Sequence, residues 1–146
     1  MVSDFATGVE SAIDQGLIQD ERTSIAYFEE VLEMLLVRFE LPVLKRLMQF
    51  YDDDAQFDHW AQIYRASRES RELLAESQQL AFSLNAWIKD VLKMPVTVKK
   101  QLGFVPVYAQ LCGQLGLNDA DVLTAYTFTV LENQVLAAVK TVPLGQ

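Results

Sequence analysis

Three aspartates in a row, Asp52, Asp53 and Asp54, followed by Asp58, come nearest in type and spacing to chemistry. Carboxylates four apart on a helix share a face. In a helical bundle such a pair can hold Mg²⁺ against a diphosphate, since that ion takes one or two carboxylates together with substrate phosphates. The chemistry needs a second acidic motif on a facing helix and a larger cavity, and the sequence shows neither. The same residues also read as a loop and a cap, with Asp54 closing off a helix that carries Phe57, Trp60 and Tyr64. A small Mg²⁺-dependent helical enzyme or ligand-binding bundle using Asp52, Asp53 and Asp58 is the alternative reading of function.

Other chemistry-bearing residues are sparse. His59 is the sole histidine and Cys112 the sole cysteine, so a transition-metal site built from this chain is not expected, nor is a disulfide. Nothing near Cys112 would lower its pKa, and it reads as a small core residue. The sequence has no phosphate-cradling glycine loop, no Ser–His or Cys–His arrangement and no two-histidine helix motif. No cofactor and no catalytic residue is assigned. The net charge of −8 argues against a nucleic-acid surface, which needs clustered Lys and Arg. The N-terminus lacks the order of a signal peptide, and no uninterrupted apolar run reaches bilayer length. A cytoplasmic protein without a membrane partner is expected.

The elements that must position these residues all read as helical. At 146 residues, 51% of them apolar, the chain is expected to form one domain over residues 1–146. A first helix over 3–15 carries Phe5, Val9, Ala12 and Ile13 on one face and stops at Gly16. Asp20 caps a long second helix with a stripe from Ile25 to Phe39, which Leu41-Pro42 is expected to break. A helix opening at Ala66 has Leu73, Leu80, Leu84, Trp87, Ile88 and Val91 as its core face, and Arg68 is four residues before Glu72 for a supportive pair. A short helix from Thr97 to Gly103 and another from Pro106 lead to the last one. No period-two alternation or hairpin turn suggests a strand. The expectation is an all-α bundle of seven to eight helices.

That last helix, over residues 118–146, is the expected axle. Asn118 caps it, Asp119 and Asp121 complement its dipole, Lys140 does so at the far end, and Pro143 and Gly145 end it. Between residues 122 and 139, 12 of 18 positions are apolar on nearly every face, the pattern of a buried helix. Glu132, Asn133 and Gln134 interrupt it. Successive positions lie about 100° apart, so at least one of the three points inward and needs a partner. Two readings stay open: a hydrogen-bond network that fixes helix register, or a polar strip where another protein docks.

The sixteen residues from Leu131 to Gln146, LENQVLAAVKTVPLGQ, closely resemble the signature of the urease accessory protein family UreF. A second piece, Gly8-Val9-Glu10 followed by Gly16, is similar to another signature of that family, with Val9 in place of the usual leucine. The stretch Arg71-Glu72-Leu73-Leu74-Ala75-Glu76-Ser77 is similar to a third. Ala81 stands where the family usually has glycine.

The resemblance implies an all-helical, non-catalytic scaffold. Its role would be to bridge the accessory protein UreD (UreH in some lineages) and the GTPase UreG, and to regulate nickel insertion into the urease apoprotein. By family position, Glu10 and Lys140 are assigned to partner recognition. Glu132, Asn133, Gln134, Pro143, Gly145 and Gln146 match the motif and join them as candidate partner-binding residues. A homodimer is among the states the resemblance implies. Members of the family have a segment before the first motif and continue past the glycine–glutamine. The chain is therefore expected to lack that N-terminal segment and the tail that holds UreD/UreH.

Overall fold

The structure, a computed structural model, describes the backbone of residues 2–68 and 70–141 and the side chains of residues 8–68 and 70–140. All of its regular structure is helical, and no strand occurs among the described residues. By Cα packing the chain divides into two compact units, residues 1–39 with 124–146 and residues 40–123.

In the first unit, α1 (Val2–Asp14) ends where Gly16 takes φ 73° and Leu17 N–H donates to Ala12 O at 2.8 Å. That left-handed turn costs a glycine little, and it satisfies a carbonyl the helix end would strand. Asp20 then starts α2 (Glu21–Val31) with a capping box: its Oδ1 accepts from Thr23 N–H at 2.9 Å, and Thr23 Oγ1 accepts from Asp20 N–H at 3.0 Å. The backbone bond from Thr23 chiefly holds the Asp20 carboxyl below its ordinary range. Buried apolar side chains of this unit include Leu36, Tyr126 and Val130. Val9, Ala12, Ile18 and Ala138 form a cluster, with Ile13, Tyr27, Phe28 and Ala137 against it.

The expected break at Leu41-Pro42 does not occur. Residues 32–40 wind as a π-helix that leads directly into α3 (Leu41–Gln49), with Pro42 in its first turn. Proline's ring clashes with the carbonyl four residues back only in α-helical register, and wider i→i+5 winding removes that conflict. From Thr97 the chain forms only a 3₁₀ turn (Lys100–Leu102) rather than a helix. Among the described residues six uninterrupted helical runs, the 3₁₀ turn apart, therefore replace the seven to eight expected.

In the second unit, α4 (Asp54–Ala66), α5 (Arg71–Trp87) and α3 surround α6 (Phe104–Gln114). Six of the eleven α6 residues are buried: Val105, Pro106, Val107, Ala109, Leu111 and Cys112. A Cβ on Gly113 would lie 2.5 Å from Tyr51 Cγ, so the close approach of the turn after α3 to α6 requires glycine there. α6, not the C-terminal helix, is the buried axle.

The last helix, α7 (Asp119–Thr141), begins as expected, with Asn118 Oδ1 accepting from Asp121 N–H at 3.2 Å. It buries one narrow stripe, Val122, Tyr126, Val130, Gln134 and Ala138, each four residues from the next. Other faces carry exposed apolar side chains, so the expectation of a helix buried all round is overturned. α5 departs similarly. Ser77, Ala81 and Ile88 form its buried face, while Trp87 and Val91, expected in the core, are exposed.

Candidate partner-binding surface

The candidate residues from the first and last helices fall in one unit. Glu10 is exposed beside the buried Val9, and Lys140 is exposed two residues beyond the buried Ala138. Val9 and Ala138 belong to the same cluster, so this small contact carries the two charges on adjoining stretches of α1 and α7. Of the polar triplet, Glu132 is exposed, Asn133 half-buried and Gln134 2% exposed. Gln134 Oε1 is buried without a hydrogen-bond partner among the described residues. An amide oxygen left so carries an unmet desolvation cost. Pro143, Gly145 and Gln146 lie outside the described residues.

The exposed side of α7 has a composition of its own. Phe128, Glu132, Val135 and Val139 follow at intervals of four, three and four, which puts them on one face, with Leu136 beside them. Phe128 is 64% exposed, Val139 57%, Leu136 50% and Val135 41%. A contiguous apolar strip edged by single charges has the composition of a protein–protein contact, in which an aromatic residue anchors and charges sit at the rim. α7 is also long and apolar enough, by length and composition alone, to cross a membrane. Its buried stripe and its Glu-Asn-Gln triplet give it the features of a helix packed on protein.

The aspartates do not assemble. Asp52, Asp53 and Asp58 are exposed, and Asp53, not Asp54, is the α4 cap, its Oδ1 accepting from Gln56 N–H at 3.1 Å. Among the described residues no three His, Cys, Asp or Glu side chains are grouped to hold a metal.

One arrangement had no counterpart in the sequence reading. α5 begins at Arg71, with Ser70 Oγ accepting from Leu73 N–H at 3.0 Å, so Arg68 precedes the helix and cannot form the expected pair with Glu72. Instead Arg68 Nη2 meets Glu40 Oε1 at 3.0 Å, with the two side chains 11% and 1% exposed. The guanidinium lies 4.7 Å from the Tyr64 ring centre, Tyr64 Oη is 3.0 Å from Ser77 Oγ, and Ser77 Oγ accepts from Phe104 N–H at 2.9 Å. This chain of contacts ties α4 and α5 to the start of α6. Its one sequence signal was the Ser70 cap, which would have moved the helix start past Arg68.

A family model described as UreF matches residues 18–146. Among curated proteins, the urease accessory protein UreF of Nitrosospira multiformis is 34% identical over 97% of this chain and 66% of its own length. UreF of Bordetella parapertussis is 36% identical over 97% of this chain and 68% of its own. The chain belongs to the UreF family. It spans about two thirds of the length of these relatives. A Bordetella bronchiseptica protein named bifunctional urease accessory protein UreEF also matches, 36% identical over 35% of its length. Members of the UreF family carry the name of urease accessory proteins, a non-catalytic class, and the exposed strip on α7 contains the glutamate of the family-like motif.

Proposed function

We propose that this chain works as a scaffold and GTPase regulator in urease maturation, bridging UreD/UreH and UreG so that nickel, the cargo, passes to the urease apoprotein. The observation that carries the reading is the double-sided character of α7. It gives one stripe to its own fold and leaves Phe128, Val135, Leu136 and Val139 uncovered near Glu132 and Lys140. A helix used in this way supplies rigid contact area at little entropic cost. Residues 1–146 act together as one UreF-like domain in the cytoplasm, and a homodimer is a further use of the same strip. Glu10 and Lys140 steer the docking, and Asn133, Pro143, Gly145 and Gln146 complete the contact, with Gln134 buried behind it.

Capture by immobilised UreD with UreG tests the reading. The wild-type chain is retained, Lys140→Glu is lost, and Asp53→Ala, which removes only a helix cap, is retained. Loss of capture with Asp53→Ala, together with a Mg²⁺-dependent thermal shift that the same substitution abolishes, would overturn the scaffold in favour of the aspartate site.

A further inference from the structure

The second unit carries a feature that the family reading leaves unused. Residues 88–100, IKDVLKMPVTVKK, hold four lysines against one aspartate, in a chain whose net charge is −8. Lys89, Lys93, Lys99 and Lys100 are all exposed, and neither ion pair among the described residues involves them. The segment after α5 folds back along that helix, pinned by Asn85 Nδ2–H donating to Val98 O at 3.1 Å and Gln78 Nε2–H donating to Gln101 O at 3.0 Å. The return brings Lys100 Nζ to 4.9 Å from the ring centre of Phe82, itself 50% exposed. Phe82 and Asn85 share a face of α5, and Lys89 follows in the π-helical turn Ile88–Leu92 that continues the helix. A shallow groove of about 200 Å³ lined by Gln78, Gln79, Phe82 and Lys100 runs beside them. At the turn, Lys93 is the one non-glycine residue with positive φ among the described residues, at 56°. A lysine held in a left-handed position that glycine would fill more easily is a conformational cost, of the kind that collects at functional sites.

We propose that the face made by Phe82, Lys89, Lys93 and Lys100 docks an acidic, extended segment of a partner protein, with an apolar side chain of that segment against Phe82. The shape of the charge distribution selects this occupant. Screening reduces the reach of a charge to about 8 Å at physiological salt, so a narrow segment on this stretch meets four lysines against the single carboxylate of Asp90. A flat anionic membrane or a DNA duplex covers a wider area, and a chain of net charge −8 repels such an extended anion. Burial of lysine stems beside an aromatic ring adds apolar contact to the charge pairing.

A fluorescent peptide of glutamates with two leucines serves as the probe, titrated against the full chain at low salt. It binds, and the affinity falls as salt is raised. Lys89→Glu with Lys100→Glu weakens it by at least about tenfold, the effect expected for reversing contact charges. Lys45→Glu with Arg22→Glu makes the same change in net charge elsewhere and weakens it less than about twofold, as long-range repulsion alone is screened. Lys89→Glu alone, which leaves the Phe82 contact in place, gives an intermediate loss. Lys93→Gly melts no lower than wild type yet binds more weakly. The proposal is overturned if the peptide fails to bind, if both double variants weaken it equally, or if phosphatidylserine vesicles or duplex DNA bind the chain more tightly than the peptide.

Discussion

The two units treat apolar surface in opposite ways. Residues 40–123 surround α6 with side chains from α3, α4 and α5, and even bury an ion pair. The unit of residues 1–39 and 124–146 is shorter, yet it carries eight of the fourteen large apolar side chains exposed among the described residues. α6 and α7 are both rich in apolar residues, but α6 is covered by its own chain and α7 is covered along one stripe. Apolar composition shows that a helix face will be covered; it does not show by what. The first kind of helix is used up by its fold, and the second leaves apolar surface for contact.

The comparison breaks most easily at Arg68. Arg68→Met leaves the Glu40 carboxylate without its guanidinium in a buried position and costs about 3–5 kcal/mol, the usual penalty for breaking a buried pair from one side. Chemical denaturation reads it, and a loss under about 1 kcal/mol would show the pair to be incidental. Gly103→Ala comes next. At φ 93° its Cβ would stand 2.8 Å from Ser77 Oγ and 2.9 Å from Tyr64 Cε1. We expect a loss of about 2 kcal/mol, in the range for overpacking a close contact.

The first unit should respond in the reverse sense. Phe128→Ser with Leu136→Ser changes exposed residues, so stability moves by no more than about 0.5 kcal/mol per site. Retention on UreD and UreG falls by at least about tenfold, as for removal of an interface anchor. Equal losses of stability and binding would put α7 in the same class as α6.

The last effect is a pH dependence, to which Tyr108 of the second unit contributes. Burial, with Cys112 adding to it, pushes the Tyr108 phenol up to about 12 from an ordinary 10.0. The unfolded chain therefore releases this proton first as pH rises, and between about 10 and 12 the native state holds more protons than the unfolded one. Stability falls across that window and is unaffected below it. Burial pushes the Cys112 thiol up too, which adds to the fall in the same sense. Tyr108→Phe should flatten the alkaline limb of a denaturation series and leave neutral stability within about 1 kcal/mol.

Much of the helical pattern was legible from local chemistry. Asp20, Asn118 and Gly16 act at helix ends as their types require, because caps and left-handed turns are settled within a few residues. Pro42 misled because a proline's effect depends on the winding around it, and the π-helical stretch before it is not written in local propensity. Arg68 misled for a different reason. Its partner Glu40 is 28 positions away, and periodicity reports neighbours on one helix only. The candidate residues came from the resemblance to a family, not from local chemistry. The exposure of Phe128, Val135, Leu136 and Val139 was not, since an outward apolar stripe and an inward one have the same spacing.

Hydrogen–deuterium exchange of the chain, alone and with UreD and UreG, tests the central claim most directly, because it reports where partners cover the backbone. Slowed exchange is expected in α7 from Phe128 to Lys140, with no change at Asp52, Asp53 and Asp58. Unaltered exchange in α7 with slowing confined to residues 40–123 would contradict it.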